Sequence, residues 1–140
     1  MKKSMGGLFV AGLTLVIATT LHAGSLENQG KTWLDAQKDP PAIDVNGTWS
    51  SEFGDLYLTQ SAGSRDVNGN GGGYELTGVV SGKRLYLLFS NHHGTVEYCA
   101  VESSESDNRL AGSYSDRQTR LRLGMGLCQQ KSRAMFMNKK

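Results

Sequence analysis

From Val45 onward, apolar and polar residues alternate in short runs separated by turn residues, the two-residue period of β-strands rather than the 3.6-residue period of helices. Gly47 to Phe53 forms the first such run. Asp55 to Gln60 follows and sets Leu56 and Leu58 on one face. Tyr74 to Val80 reads as a strand that Ser81-Gly82-Lys83 turns into a run from Arg84 to Phe89. Asn91-His92-His93-Gly94 turns again into Thr95 to Glu102, where Val96, Tyr98 and Ala100 alternate with Glu97, Cys99 and Val101. Ser103 to Asn108 reads as a polar loop, followed by runs at Arg109 to Tyr114, Thr119 to Leu123 and Ala134 to Met137. The pattern predicts an all-β domain, an antiparallel meander of about eight short strands. No stretch after residue 44 supports a ten-residue helix, and 18 glycines suit a chain that turns often.

A weak internal repeat turns this meander into an architecture. Gly47, Ser50, Leu56 and Leu58 recur as Gly78, Ser81, Leu85 and Leu87, and again as Gly112, Ser115, Leu121 and Leu123. The last two copies also share Leu-x-Gly (Leu76 and Gly78, Leu110 and Gly112) and Arg-Leu (Arg84-Leu85, Arg120-Leu121). Each copy reads as one hairpin with two inward leucines. One hairpin cannot bury an apolar face alone, whereas several in series can by curling. The expected product is a small up-and-down barrel or a strongly curled sheet.

The segment ahead of the strands has a different character. Lys2 and Lys3, an apolar run from Leu8 to Ala18, and Leu21-His22-Ala23 form the three parts of a cleavable signal peptide over residues 1–23. Residues 24–43 read as a linker, with a helical turn or two around Lys31 to Gln37, ended by Asp39-Pro40-Pro41. The β domain then occupies 44–140. Export gives a secreted or periplasmic protein with no membrane span once the signal is cut. In an oxidising compartment Cys99 and Cys128 are disulfide candidates, the alternative being two buried thiols.

Charge changes the picture less than it promises. The formal +2 disappears with Lys2 and Lys3. Residues 44–107 are acidic, and 109–140 carry Arg109, Arg117, Arg120, Arg122, Lys131, Arg133, Lys139 and Lys140 against Asp116. In a closed sheet the last strands return beside the first, so these regions are expected to face and cancel. A nucleic-acid partner is not expected.

Asn46-Gly47-Thr48-Trp49 opens the first strand. Gly-x-Trp in that place resembles the signature of the calycins, the group that includes lipocalins and avidins. The resemblance implies a barrel with Trp49 closing one end, under an arginine from a late strand: Arg120, Arg122 or Arg133. It covers three residues and a general strand pattern.

Motifs that carry chemistry are few. Asp66-Val67-Asn68-Gly69-Asn70-Gly71 matches the first half of a calcium loop, but its twelfth position is Thr77 and not glutamate. It reads instead as a glycine-rich hairpin loop without a metal. That makes Asp66, Asn68 and Asn70 candidate binding-loop residues, because long loops often carry function. His92, His93 and Glu97 are the residues an enzyme or a metal site would use, with Cys99 as a further ligand, although their spacing matches no standard site. Glu102 and Glu105 read as solubilising carboxylates on a polar loop. No nucleophile elbow is present. Asn46-Gly47-Thr48 is formally a glycosylation acceptor.

Together these features predict a secreted or periplasmic non-enzymatic binding module, without cofactor, for a protein, a glycan or a small apolar ligand. One alternative is a small hydrolase or metal-dependent enzyme using His92, His93 and Glu97. The other is a structural envelope protein.

Overall fold

In the computed structural model, which describes residues 26–116, 128 and 133–140, eight antiparallel strands close into a barrel. Helix α1 (Leu26–Asp35) precedes β1 (Gly47–Ser51), β2 (Gly54–Gln60), β3 (Asp66–Gly71), β4 (Tyr74–Ser81), β5 (Arg84–Ser90), β6 (Val96–Ser106), β7 (Arg109–Asp116) and β8 (Arg133–Lys139). Each strand pairs with the next, and β8 returns to β1 through Trp49 opposite Lys139 and Ser50 opposite Asn138. The expected meander and its closure are therefore present. The first 23 residues lie outside the described chain.

Alternation fills the interior. Leu56, Leu58, Leu76, Val80, Leu85, Leu87, Phe89, Leu110, Met135 and Met137 all point inward and are almost wholly buried. Leu56, Leu58, Leu85 and Leu87 thus share the inner face, as the repeat predicts. Leu121 and Leu123 fall outside the described residues.

The strand set differs from the expected one at two places. Asp66 to Gly71 is a strand, β3, paired to β4 along its whole length and to β2 from Val67 to Gly71, and not a loop. Glycine and asparagine have low strand propensity, so only the tertiary context makes this segment β. Gly69 and Gly71 lie so close to β2 that a Cβ on either would meet the backbone carbonyl of Tyr57 or of Asp55. Close approach of two strand backbones is what glycine permits at a sharp bend in a barrel. The expected strand at Thr119 to Leu123 lies outside the described residues. The second difference is β6, which runs on to Ser106, so the expected polar loop from Ser103 shrinks to a turn at Asp107-Asn108.

An up-and-down barrel has two ends. At one, which we call the base, the β2–β3, β4–β5 and β6–β7 turns meet the incoming chain. Residues 39–46 form a strap across it. The Asp39 N–H donates to Ser81 Oγ (2.9 Å), Pro41 bridges Gly82, and the Ala42 N–H donates to the Gly82 carbonyl (2.9 Å). Val45 ends the strap inside the core, its N–H donating to Oε1 of the buried Gln60 (2.9 Å) and its carbonyl accepting from Trp49 Nε1 (2.9 Å). The opposite end, the mouth, carries the β1–β2, β3–β4 and β5–β6 turns.

Helix α1 packs on the outside of the wall. Leu34 joins Val79, Leu88, Val96 and Cys99 in a second apolar cluster, and Trp33 meets Tyr86 edge to face at 5.4 Å. The helix begins five residues earlier than Lys31 and contributes to packing. Cys99 and Cys128 form a disulfide, with Cα atoms 5.2 Å apart. In the chain-entropy picture such a closure stabilises by about 3–4 kcal/mol. The acidic and basic regions do meet across the closing seam, where Lys140 pairs with Asp55 (2.9 Å), while Arg109 pairs with Glu105 (2.8 Å) within the basal hairpin.

Candidate functional site

Trp49 is buried at the base, as the Gly-x-Trp resemblance implies, but its cationic partner is different. The charge over its ring is Lys139 Nζ, 5.8 Å from the centroid. Arg133 begins β8, opposite Tyr114 and six residues from Lys139, so it stands at the mouth end and is exposed. Arg120 and Arg122 lie outside the described residues. A cleft of about 300 Å³ opens beside Trp49, edged by Ile43, Asp44, Ser104, Asp107 and Lys139. Asp44 there accepts from both the backbone and side-chain nitrogens of Asn46 (2.8 Å each), which holds its carboxyl below the usual range. Asn46 is itself fixed to the backbone of Gln60 by two hydrogen bonds, of 2.6 and 2.7 Å. The side chain of the formal glycosylation acceptor is therefore occupied in holding the strap.

The candidate binding-loop residues Asp66, Asn68 and Asn70 occupy alternate positions on the exposed outer side of β3. They are wall residues, so removing 67–72 would remove a stave of the barrel and not a dispensable loop. The histidine turn is small and exposed. The rings of His92 and His93 lie side by side, tilted by 42° with centroids 3.9 Å apart. Asn91 organises that turn by accepting from the N–H groups of His93 and Thr95 and donating to Glu97 Oε1 (3.0 Å). Cys99 is committed to the disulfide, which removes it as a metal ligand. Among the described residues no group of three or more His, Cys, Asp or Glu side chains is placed to hold a metal.

The mouth contains the chemistry that sequence reading did not single out. Ser51 pairs with Gly54 to close the β1–β2 hairpin over the two residues Glu52 and Phe53, with Gly54 at a φ of 94°. Neither Glu52 nor Phe53 has a positive φ, so the glycine takes the left-handed place that follows a type I turn in a bulged hairpin. The Ser51 hydroxyl accepts from the Phe53 N–H (3.1 Å) and donates to the Gly54 carbonyl (2.8 Å), and Glu52 accepts from the Phe136 N–H (3.0 Å). This turn aims Phe53 at the barrel axis. Its ring centroid lies 4.7 Å from Phe89, 5.0 Å from Tyr98, 5.0 Å from Tyr114 and 6.0 Å from Tyr74. These are the separations of tilted and edge-to-face aromatic pairs. The surrounding rings come from four different strands, so the mouth is a collar with Phe53 as its central ring. Burial, together with the adjacent Tyr74 hydroxyl, pushes the Tyr98 phenol above its ordinary value.

Deeper on the same inward face of β6, Tyr98 and Ala100 are followed by Glu102. Its neighbours in register are Leu85 and Gly112. Glu102 is fully buried, and neither carboxyl oxygen has a hydrogen-bond partner among the described residues. Burial pushes its pKa up to about 9, with the carboxylate of Glu52 acting in the same direction, so the group is a neutral acid at pH 7. Its place exists because Gly112 has no side chain: a Cβ there would overlap Glu102 Oε2 as well as the Val101 carbonyl. The assignment of Glu102 to a solubilising loop is thereby overturned. The signal that could have found it is the alternation itself, since Tyr98, Ala100 and Glu102 have one parity.

No protein-family model, curated protein or solved structure matches this chain. What it can do must be read from the barrel. Its inner face carries an aromatic collar filled by the Phe53 ring and, further along the same face of β6, a buried carboxyl.

Proposed function

We propose that the protein is an exported binding module, without catalysis, that takes a small apolar ligand at the mouth of its barrel. The observation that carries this reading is the ring of Tyr74, Phe89, Tyr98 and Tyr114 around Phe53. Small-molecule sites are concave and aromatic-lined with few polar groups, and the mouths of β-barrels are a common place for them. Phe53 occupies the position a ligand ring would take, on a turn of two residues. The disulfide agrees with an oxidising compartment, and the Gly-x-Trp start and eight-stranded closure agree with a calycin-like ancestry.

The test is titration of indole into the folded protein, followed by NMR shifts of the tyrosine rings. Shifts are expected at Tyr74, Tyr98 and Tyr114. The Phe53→Ala variant is expected to bind about tenfold tighter, since an emptied apolar site accepts a small aromatic without displacing a side chain. Lys139→Ala, at the base, is expected to leave binding unchanged. Absence of binding to a Phe53→Ala protein whose circular dichroism is native would overturn the reading.

A further inference from the structure

One buried group is not explained by a site that merely accepts apolar rings. Three inward glycines face a larger inward residue across the ladder: Gly69 faces Leu58, Gly78 faces Leu87 and Gly112 faces Glu102. A Cβ on Gly69 would lie 3.0 Å from Leu58 Cδ2, and one on Gly78 would lie 2.8 Å from Leu87 Cδ2. In each pair the glycine yields its space to the partner. In two the partner is an aliphatic side chain that the core welcomes. In the third it is a carboxyl with nothing to bond. A buried polar group left unpaired costs on the order of 1–3 kcal/mol. Leucine would fill the same place at no such cost.

We propose that Glu102 is the polar anchor of an internal site for a small aromatic amine, whose ring replaces Phe53 within the collar and whose nitrogen reaches the carboxyl. The inference rests on the mouth reading above and adds the class of ligand. Its first support is geometric: the collar and Glu102 lie on one inward face, with only the small Ala100 between Tyr98 and Glu102 on β6. The second is chemical. An ammonium is attracted by the faces of aromatic rings, so the tyrosines that contact the ring also favour the charge.

The groups facing this interior are Tyr74 of β4, Tyr98 of β6 and Tyr114 of β7; at the rim stand the exposed Arg133 of β8 and the exposed Glu52 of the β1–β2 turn, whose charge acts on Glu102. Glu97 and Asp116 stand beside Tyr98 and add negative charge. Arg133 is the cation among the described residues at this end, and its exposure lets solvent and salt screen it.

The proton balance is definite. Free Glu102 holds a proton at pH 7, and a free alkylammonium holds its own. When the ammonium pairs with a carboxylate, one proton passes to solvent. Amine binding then strengthens with pH by up to about tenfold per unit while Glu102 remains protonated in the free protein.

The experiment compares benzylamine, benzyl alcohol and benzoate by calorimetry, in two buffers of different ionisation enthalpy, on wild type, Phe53→Ala and Glu102→Gln. Benzylamine is expected to bind at least about tenfold tighter than the other two and to release one proton. Phe53→Ala should strengthen it, and Glu102→Gln should erase both the preference and the proton release. If benzylamine and benzyl alcohol bind alike, or Glu102→Gln binds benzylamine as wild type does, the anchor is refuted and the apolar mouth stands. If indole and all three probes fail against a folded Phe53→Ala protein, both readings fall.

Discussion

Two cross-strand pairs in the barrel wall share a geometry and differ in one functional group. Between β4 and β5, Gly78 faces Leu87; between β6 and β7, Gly112 faces Glu102. Both glycines follow an inward leucine by two residues, Leu76 and Leu110, and both are pressed against the neighbouring strand. The first pair packs aliphatic carbon against the Leu56, Leu76 and Phe89 side of the core. The second seals a carboxyl among the same kind of surroundings, with Leu110, Met135 and Met137 nearby. The wall geometry is thus indifferent to what the large residue is, and chemistry enters by exchanging one side chain. Stability is served by the first pair and opposed by the second.

The strongest way to break the comparison is to give the first pair the chemistry of the second. Leu87→Glu places a carboxyl opposite Gly78, where it loses the packing of a buried leucine and gains no partner. A loss of at least about 4 kcal/mol at pH 7 is expected from the two effects together. Urea unfolding at pH 7 and at pH 4.5 measures it, with the lower pH recovering part of the loss by protonation. Unchanged stability at pH 7 would mean the two places are not equivalent.

Next is the reverse exchange. Glu102 is protonated in the folded protein up to about pH 9 but ionises near 4.5 when unfolded. The folded state therefore binds the extra proton between those values, and stability falls as pH rises through that window. Below 4.5 both states are protonated and the full stability is present. Glu102→Gln, which cannot ionise, should be more stable than wild type at pH 8 by an amount on the order of 5 kcal/mol, and nearly equal at pH 4. Parallel stability profiles across this range would show that Glu102 is charged or paired in the native state.

The smallest effect separates the two glycines. Gly78→Ala and Gly112→Ala should each cost about 1–3 kcal/mol through overpacking. Adding Glu102→Ala to Gly112→Ala should restore part of that loss, because it removes the overlap with Oε2 and the unpaired carboxyl, while the overlap with the Val101 carbonyl stays. Adding Leu87→Ala to Gly78→Ala should deepen the loss, because leucine packing goes with it. Equal signs in the two double variants, read as thermal midpoints, would count against the distinction.

Much of this was legible along the chain. The alternation fixed strand identity for Leu56, Leu58, Leu85 and Leu87, since a period of two with β-branched or large apolar residues has one stable use, a half-buried strand. The Leu-x-Gly repeat marked both glycine pairs before their partners were known. The cysteine pair and the turn residues also carried their meaning locally. Other features had no local signal. Asp66 to Gly71 resembles a loop in every residue but Val67, and hydrogen bonding from β2 on one side and β4 on the other makes it a strand. The sequence pattern reaches eight strands by including the run at Thr119 to Leu123 and leaves out the segment that supplies the third stave. Closure decided the rest. It brought Lys139 over Trp49 and turned Phe53 from the end of a strand into the centre of an aromatic collar; parity with Tyr98 and Ala100 assigns Glu102 its face, and closure set packed carbon against that face. A sequence specifies which face a residue takes within its own strand. Which end of a barrel that face reaches, and whether water or packed carbon meets it there, depends on strands distant along the chain, and that only the folded barrel determines.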